Sequence, residues 1–303
     1  MTATAPLTDP SKTPPGGTAK LAGRTVARIG FGAMQLERTT VGRDALLALL
    51  RQAVRCGVNH VDTAHFYGVG TCNGLIREAL APYPDNVVLV SKVGADNDAR
   101  GALVPGQRPE QLRAQVEANL ATLGVERLDV VNLRRLDAPP GLIAEGDQKV
   151  DLDSQLGELT ALRDAGKIGG IGLSNVSAGQ LRQVLPAGVA CVQNAYSVLD
   201  RSTEPTLALC REHGIAWVPF FPLGSAFPSR PRATENPTVA AIAGDLAATP
   251  AQVALAWLLA RYDHMLLIPG TSDPSHLAEN IAAGSLRLPP EAVVALDQLA
   301  ADS

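Results

Sequence analysis

Three polar residues lie at or just past the ends of short apolar runs, and their side chains are of types that transfer protons. Asp62 ends the run that starts at Val58, Tyr67 lies on the loop that follows, and Lys92 ends the run that starts at Val87. A phenol has a pKa of about 10, and a nearby ammonium favours the phenolate, which brings proton transfer closer to neutral pH. Asp62 would keep the Lys92 ammonium charged and in place. The three residues therefore indicate a site for general acid catalysis.

The elements that would position these residues alternate between strand-like and helix-like patterns. The predicted strands span residues 26–34, 58–63, 87–92, 128–133, 169–173, 190–194, 215–220 and 265–268. The predicted helices span residues 43–55, 72–80, 109–123, 152–165, 178–185, 203–212, 250–261, 275–283 and 290–301. Such alternation in a chain of this size predicts an α/β protein with a (β/α)8 TIM barrel. A doubly wound open sheet is the alternative, but no Gly-x-Gly-x-x-Gly pattern follows any strand, although that pattern is a weak signal by itself.

The barrel is assigned to residues 19–303 as a single domain. Residues 1–18 are expected to form a disordered tail, because they are rich in Thr, Pro and Gly and lack the apolar stretch of a signal peptide. Residues 20–26 predict a short hairpin that turns at Ala22 and Gly23 and could close the bottom of the barrel. Helices that follow the last strand are expected to end the chain.

Composition narrows the class of protein. The chain has 303 residues, of which 46% are hydrophobic and 18% charged, and a net charge of −4. Nucleic acid and anionic membranes are not expected as partners, because binding them needs clustered Lys and Arg. No window approaches the roughly 18 consecutive apolar residues of a membrane span. The four cysteines form no Cys-x-x-Cys pair, and His60, His213 and His264 lack metal-ligand spacing. We therefore expect reduced thiols, no metal, a cytoplasmic location and a monomer or weak homo-oligomer.

Active sites of (β/α)8 barrels lie at the carboxyl ends of the strands. Polar or aromatic residues recur at these ends of the predicted strands: Met34, Asp62, Lys92, Asn132, Arg134, Ser174, Asn175, Gln193 and Phe220. Loops generally begin with polar residues, which explains part of this pattern. A lysine and an aspartate that directly end apolar strands are not readily explained in that way. A site is therefore predicted at this end of the barrel.

At these positions the chain resembles the aldo-keto reductases, from about Lys20 to its end. The shared motifs are Gly-Phe-Gly-Ala-Met at residues 30–34, Asp-Thr-Ala-His-Phe-Tyr-Gly at 62–68, Gly-Leu-Ser-Asn at 172–175, Pro-Leu-Gly at 222–224, Ile-Pro-Gly-Thr-Ser at 268–272 and Glu-Asn at 279–280. The resemblance implies a TIM barrel that reduces a small-molecule carbonyl substrate with NADPH or NADH. Within the family, the pattern is most similar to that of bacterial pyridoxal reductases.

The resemblance also implies a role for each matching residue. Tyr67 would be the general acid, Lys92 would lower its pKa, and Asp62 would hold Lys92. The residues implied to bind the cofactor are Met34, Ser174, Asn175, Gln193, Phe220, Leu223, Gly270, Thr271, Ser272, His276, Glu279 and Asn280. Among them, the residues that would bind the carboxamide of nicotinamide are Ser174, Asn175 and Gln193. Phe220 would stack on the nicotinamide ring. Candidates for the substrate pocket are His65, Phe66 and Phe227.

One position departs from the family pattern. The family usually has a histidine at the end of the fourth strand, where this chain has Arg134. A guanidinium keeps its charge and only donates hydrogen bonds. Arg134 could polarise the substrate carbonyl or pair with an anionic substituent, which would suit pyridoxal because its ring hydroxyl beside the aldehyde ionises readily. The alternative is that Arg134 points away and Arg135 or Asn132 faces the site.

The preference for NADPH depends on a second departure. Family members often hold the 2'-phosphate with a lysine and an arginine, where this chain has Gly270 and His276. Thr271, Ser272 and the N-terminus of the following helix could receive the phosphate. The alternative is a simple helix cap at Ser272 or Asp273. The segment 224–236 could fold over the pyrophosphate or form a solvated loop.

Three other functions are compatible with parts of this pattern. A barrel lyase could use Lys92 to form a Schiff base, but Asp62 would raise the lysine pKa that such chemistry needs lowered. A biosynthetic reductase of a ketone or sugar intermediate would have nearly the same sequence. A non-catalytic, cofactor-binding regulatory barrel would also retain much of the site. Turnover of any carbonyl compound would distinguish the reductases from the regulatory protein.

Overall fold

Seven parallel strands form the main sheet in the part of the chain that the structure describes. The computed structural model describes residues 13–224 and 231–299. The strands of the chain are β1 (Thr18–Leu21), β2 (Arg24–Ala27), β3 (Phe31–Gly32), β4 (His60–Asp62), β5 (Val88–Val93), β6 (Ala95–Asn97), β7 (Leu103–Pro105), β8 (Leu128–Arg134), β9 (Ile168–Ser174), β10 (Val189–Gln193) and β11 (Ala216–Trp217). The order in the main sheet is β11-β10-β9-β8-β5-β4-β3. Its carboxyl ends therefore face one side.

A short eighth segment closes the sheet into a barrel. The Leu266 amide donates to the Trp217 carbonyl over 2.8 Å, and the Gly30 amide donates to the Leu267 carbonyl over 2.7 Å. The segment thus lies between β11 and the residues that precede β3. The prediction of a (β/α)8 barrel is confirmed. The predicted strand at 265–268 pairs over so few residues that it is present only as isolated bridges.

Helices cover the outside of the barrel. Their bounds are α1 (Arg43–Arg55), α2 (Thr71–Leu80), α3 (Pro109–Leu123), α4 (Leu152–Asp164), α5 (Ala178–Val184), α6 (Glu204–His213), α7 (Pro237–Asp245), α8 (Pro250–Arg261), α9 (Pro274–Ala282) and α10 (Pro290–Gln298). Three predicted helices, α1, α3 and α8, have the bounds that the sequence indicated. Helix α7 was not predicted, although Asn236 caps it by accepting from the Thr238 and Val239 amides over 3.0 and 3.2 Å. The predicted final helix, 290–301, ends at Gln298 within the described residues.

The predicted hairpin is formed by β1 and β2, with Ala22 and Gly23 at positive φ in its turn. Its buried side chains pack in one cluster with the lower interior of the barrel: Ala19, Leu21, Val26, Val88, Val130, Cys191, Ala216 and Leu266. The hairpin therefore closes the amino end of the barrel, opposite to the strand ends that carry the polar residues.

The structured chain begins before the predicted boundary of the tail. β1 starts at Thr18, and the Gly17 carbonyl accepts from the Arg28 amide over 2.9 Å. Gly16 and Gly17 both have positive φ, which turns the chain back onto the barrel. The part of the predicted tail that covers residues 1–12 lies outside the described residues.

A second hairpin, β6 with β7, follows β5 and was not predicted. Its strands have three residues each and carry little apolar alternation, so no pattern in residues 95–105 predicts a strand. Among the described residues, no single helix is long and apolar enough to cross a membrane, whereas α7 and α8 meet that length and composition only as a pair bent by 93°.

Candidate active site

A cavity of about 730 Å³ opens at the carboxyl ends of the barrel strands. Fourteen of the residues that the sequence singled out line it: Met34, Asp62, Tyr67, Lys92, Arg134, Ser174, Gln193, Phe220, Leu223, Gly270, Thr271, His276, Glu279 and Asn280. They come from strands and loops that are far apart in sequence. Their convergence is the result of the parallel barrel, which places every carboxyl end on one rim.

The proton-transfer residues meet in the wall of this cavity. The Lys92 ammonium donates to Asp62 Oδ1 and, over 3.2 Å, to the carbonyl of Thr63. Lys92 Nζ lies 5.1 Å from the centroid of the Tyr67 ring, and its charge acts on the Tyr67 phenol. Asp62, Lys92 and Tyr67 are 3%, 4% and 8% exposed, so water screens their charges weakly. The expected Asp62, Lys92 and Tyr67 arrangement is therefore present.

The Tyr67 phenol is held in its protonated form. Burial raises the pKa of Tyr67 above its usual value, and the Lys92 charge, which lowers it, does not fully compensate. The sequence predicted the direction of the Lys92 effect but not that burial outweighs it, because burial of the ring follows from tertiary packing. Burial lowers the pKa of Lys92, but Asp62 and Tyr67 raise it by more than burial lowers it. The pKa of Lys92 is therefore raised, and the ammonium persists. A persistent ammonium disfavours Schiff-base chemistry.

Arg134 faces the cavity without a carboxylate partner among the described residues. Its Nε is buried and has no hydrogen-bond partner there. Burial lowers the pKa of Arg134, and the neighbouring Tyr67 works against that shift. Arg135 instead donates to Asp137 over 2.8 Å and contacts Gln155 outside the cavity. Of the two neighbouring arginines, Arg134 is therefore the one placed for a ligand.

Gln193 has one half of its amide free for a ligand. Its Nε2 donates to Asp62 Oδ2 over 2.9 Å, a link to the proton-transfer residues that the sequence did not indicate. Its Oε1 is buried with no partner in the described chain. A buried unpaired acceptor is costly, and an amide N–H of a nicotinamide carboxamide could satisfy it. Ser174 pairs with Gln193 in register on the adjacent strand and lines the same cavity. This end of the cavity fits a nicotinamide cofactor.

Four residues of the predicted site lie in the described part of the chain but not in the cavity lining. Asn175 donates its amide to the carbonyls of Arg135 and Ala138 over 3.2 and 2.7 Å, so it holds a loop together. Ser272, His65 and Phe66 are also absent from the lining. The assignments of Asn175 and Ser272 to the cofactor, and of His65 and Phe66 to the substrate pocket, therefore lack support in the geometry. Phe227 lies outside the described residues.

The contacts of His65 and Phe66 explain why these side chains are absent from the cavity lining. His65 lies beside Gly70, where a Cβ would be 3.3 Å from His65 Nε2, and burial lowers the pKa of His65. Phe66 packs edge-on against Tyr67 with ring centroids 5.1 Å apart, so it supports the proton donor. The sequence indicates where a loop begins after a strand, but it does not determine which way each side chain of the loop points.

Several lining residues were not predicted from the sequence: Gln35, Thr249, Pro250 and Ala251. Thr249 and Gln252 form a capping box at the start of α8. The start of α8 at Pro250 was predicted, but its position at the rim of the cavity follows from the tertiary fold. Arg232 and Thr234 also line the cavity, and both belong to the segment 224–236, for which the sequence left open a fold over the pyrophosphate or a solvated loop. The described residues contain no group of three or more His, Cys, Asp or Glu that could hold a metal ion.

Comparisons with known proteins agree with this arrangement. The chain is 41% identical to pyridoxine 4-dehydrogenase of Escherichia coli strain K12, over 92% of this chain and 97% of that protein. It is 28% identical to the NADH-specific methylglyoxal reductase of the same organism, over 87% and 91% of the two chains. An aldo/keto reductase of Klebsiella pneumoniae, solved with NADP and acetate, superposes with a TM-score of 0.78 at 25% identity and covers 95% of each chain. The model of the aldo/keto reductase family matches residues 28–301, and the chain belongs to that family.

Proposed function

We propose that the protein is an NADPH-dependent carbonyl reductase and that pyridoxal, reduced to pyridoxine, is its substrate. The observation that carries the proposal is the protonated Tyr67 phenol, held beside the Lys92 ammonium in the cavity that Arg134 faces. This arrangement supplies a proton and two positive charges where a carbonyl oxygen gains negative charge during reduction.

The mechanism assigns one task to each residue. NADPH, when bound, supplies the hydride. Tyr67 donates the proton to the developing alkoxide, and Lys92 stabilises the phenolate that remains. Asp62 keeps Lys92 charged and links it to Gln193. Gln193 and Ser174 would orient the carboxamide of the cofactor, and an aromatic residue at the rim, Phe220, would stack on its ring and exclude water.

The choice of pyridoxal rests on two supports. One is the name of the relative that shares 41% identity, pyridoxine 4-dehydrogenase. The other is Arg134, a guanidinium without an anionic partner among the described residues. A phenolate beside the aldehyde would satisfy that charge and would place the carbonyl near Tyr67. A neutral ketone or sugar intermediate would leave Arg134 unpaired, so the alternative of a biosynthetic ketone reductase has less support.

The preference for NADPH is supported by polar and basic residues in the cavity lining. Thr271 and His276 line the cavity near the start of α9, and Arg232 lines it as well. Asp273 caps α9 by accepting from the Ser275 amide over 2.7 Å, so the simple cap is present as well. The NADH-specific relative makes the cofactor a necessary control. Dissociation constants for NADPH and NADH, measured by fluorescence, test this part of the proposal, and equal constants would contradict it.

The role of Arg134 is tested by comparing two aldehydes. Arg134→Gln should raise the KM for pyridoxal about 30-fold or more, because it leaves the substrate phenolate without its charged partner. The KM for benzaldehyde, which has no ionised substituent, should change much less. Arg134→Lys keeps the charge and should retain part of the discrimination. An equal increase in KM for both aldehydes would show that Arg134 does not bind the phenolate of pyridoxal.

A further inference from the structure

Four polar side chains form a hydrogen-bonded cluster behind the strand ends that carry Asp62 and Lys92. Thr63, Asn73, Ser91 and Asn119 are each 0% exposed, and none of them lines the cavity. Apolar side chains could fill this space without the desolvation cost of amides and hydroxyls. We call these four residues the asparagine bridge.

The bridge runs without a break from β4 through two helices to β5. Thr63 Oγ1 donates to Asn73 Oδ1 on α2 over 2.8 Å, and Asn73 Nδ2 donates to Asn119 Oδ1 on α3 over 3.0 Å. Ser91 Oγ, on β5, donates to the same Asn119 oxygen over 2.6 Å. Asn119 Nδ2 donates to the Gln115 carbonyl over 2.8 Å, so the amide oxygen and the amide nitrogen of each asparagine have at least one partner. A network in which every member has a partner specifies one arrangement of its supports.

Each end of the bridge is covalently adjacent to a residue of the proton-transfer site. Thr63 directly follows Asp62, and its carbonyl accepts from the Lys92 ammonium over 3.2 Å. Ser91 directly precedes Lys92, and because side chains alternate along a strand, Ser91 points outward while Lys92 points into the barrel. A displacement of either strand end therefore moves the ammonium relative to Asp62 and Tyr67.

We propose that the asparagine bridge is a positioning device for Lys92. It fixes the ends of β4 and β5 against α2 and α3, and so sets the geometry in which Lys92 acts on Tyr67. The proposal rests on the proposed function for its kinetic consequences, but the placement of Lys92 itself does not depend on turnover. The four residues act through Lys92 and do not touch the cofactor or substrate.

Two substitutions cut the bridge at its strand ends, and a third supplies a matched control. Ser91→Ala and Thr63→Val each remove one hydroxyl that links a strand to an asparagine. Thr122→Val removes a hydroxyl that accepts from Asn73 Nδ2 over 2.9 Å but joins only α2 to α3. All three variants should lose some thermal stability, because each leaves a buried amide partly unsatisfied.

The kinetic readouts separate positioning from stability. Ser91→Ala and Thr63→Val should lower kcat with pyridoxal and NADPH about tenfold, since small misplacements in an active site are costly. Their KM and their NADPH dissociation constant should stay near the wild-type values. The basic limb of their kcat profile should move to higher pH, because a displaced ammonium lowers the Tyr67 pKa less. Thr122→Val should keep the wild-type kcat and pH profile.

The nitrogen NMR resonance of the buried Lys92 ammonium gives a readout that needs no turnover. It should shift in Ser91→Ala and Thr63→Val and stay in place in Thr122→Val. If the resonance, kcat and the pH profile of the two strand variants matched those of Thr122→Val, the bridge would be structural only and the proposal would be wrong. If wild-type protein reduced no carbonyl while the resonance shifted as expected, the proposed function would fail and the positioning role would stand.

Discussion

At the scale of single residues, the site combines a buried phenol with two cations that differ in their partners. Lys92 is tied to Asp62, whereas Arg134 has no carboxylate partner in the described chain. The difference assigns Lys92 to Tyr67 and leaves Arg134 for the ligand. The sequence predicted that these residues lie at the site, because a residue at a strand end can be placed once the end of the strand is predicted. His65 and Asn175 are absent from the cavity lining, because the directions of their side chains depend on loop contacts made far away in sequence.

The role of Tyr67 leads to the first residue-scale prediction. Tyr67→Phe keeps the ring that packs against Phe66 but removes the only proton donor beside Lys92 in the described cavity lining. The kcat for pyridoxal reduction should fall about 100-fold to 10,000-fold, the usual contribution of a general acid. The NADPH dissociation constant, measured by fluorescence titration, should stay within about twofold of wild type, because the hydroxyl faces the substrate. Equal losses in binding and in turnover would contradict the assignment.

At the scale of elements, short local signals explain what the sequence could and could not predict. Helices α3 and α8 begin with a proline in their first turn, at Pro109 and Pro250, and their bounds were predicted correctly. Helix α7 has a similar start at Asn236 and Pro237, but the preceding segment, 224–236, has the sequence pattern of a loop. The short β6–β7 hairpin has no periodic signal of its own, since its pairing is set by tertiary packing.

Glycines in the barrel wall provide an element-scale prediction. A Cβ on Gly172 would overlap the Asn132 side chain and lie 2.8 Å from Cys191 Sγ. Gly172→Ala should therefore lower the free energy of unfolding by about 1–3 kcal/mol or more, because the neighbouring strands must shift. Gly157→Ala is the control, since Gly157 lies on the exposed face of α4 and its Cβ would meet nothing.

The control should raise the free energy of unfolding by roughly 0.5–1 kcal/mol through the lower entropy of the unfolded chain. Urea unfolding followed by circular dichroism measures both effects. If Gly172→Ala were as stable as wild type, the close packing of the barrel interior described above would be wrong.

At the scale of the whole molecule, the barrel draws its strands from nearly the full length of the described chain. We propose that residues 19–303 form one domain, since the residues that precede β3 pair with the 265–267 segment. The alternation of strands and helices predicted this architecture because it needs only element types and order. The closure itself could not be predicted, since it depends on a backbone bridge between Ile29 and Leu267, which are more than 200 residues apart.

A buried histidine gives a whole-molecule prediction for pH dependence. Burial lowers the pKa of His60 from 6.5 to about 4, and neither ring nitrogen has a partner in the described chain. Between these pH values the unfolded chain binds a proton that the folded protein excludes, so the free energy of unfolding decreases as the pH falls. The slope from His60 is about 1.4 kcal/mol per pH unit, and the loss levels off below pH 4.

Urea unfolding of wild type, His60→Leu and His213→Gln between pH 4 and pH 7 measures this slope. His60→Leu should flatten it, and His213→Gln, at an exposed position, should leave it unchanged. An equal slope in wild type and His60→Leu would assign the pH dependence to other groups.

The most direct test of the proposed activity is NADPH consumption by the purified protein with pyridoxal. Pyridoxal phosphate, benzaldehyde and a reaction with NADH in place of NADPH are the comparisons. We predict that pyridoxal with NADPH gives the highest kcat/KM, because its phenolate pairs with Arg134 while Tyr67 protonates the aldehyde oxygen. Equal or absent turnover across all the aldehydes would contradict the proposed substrate, and absence with both cofactors would contradict a reductase.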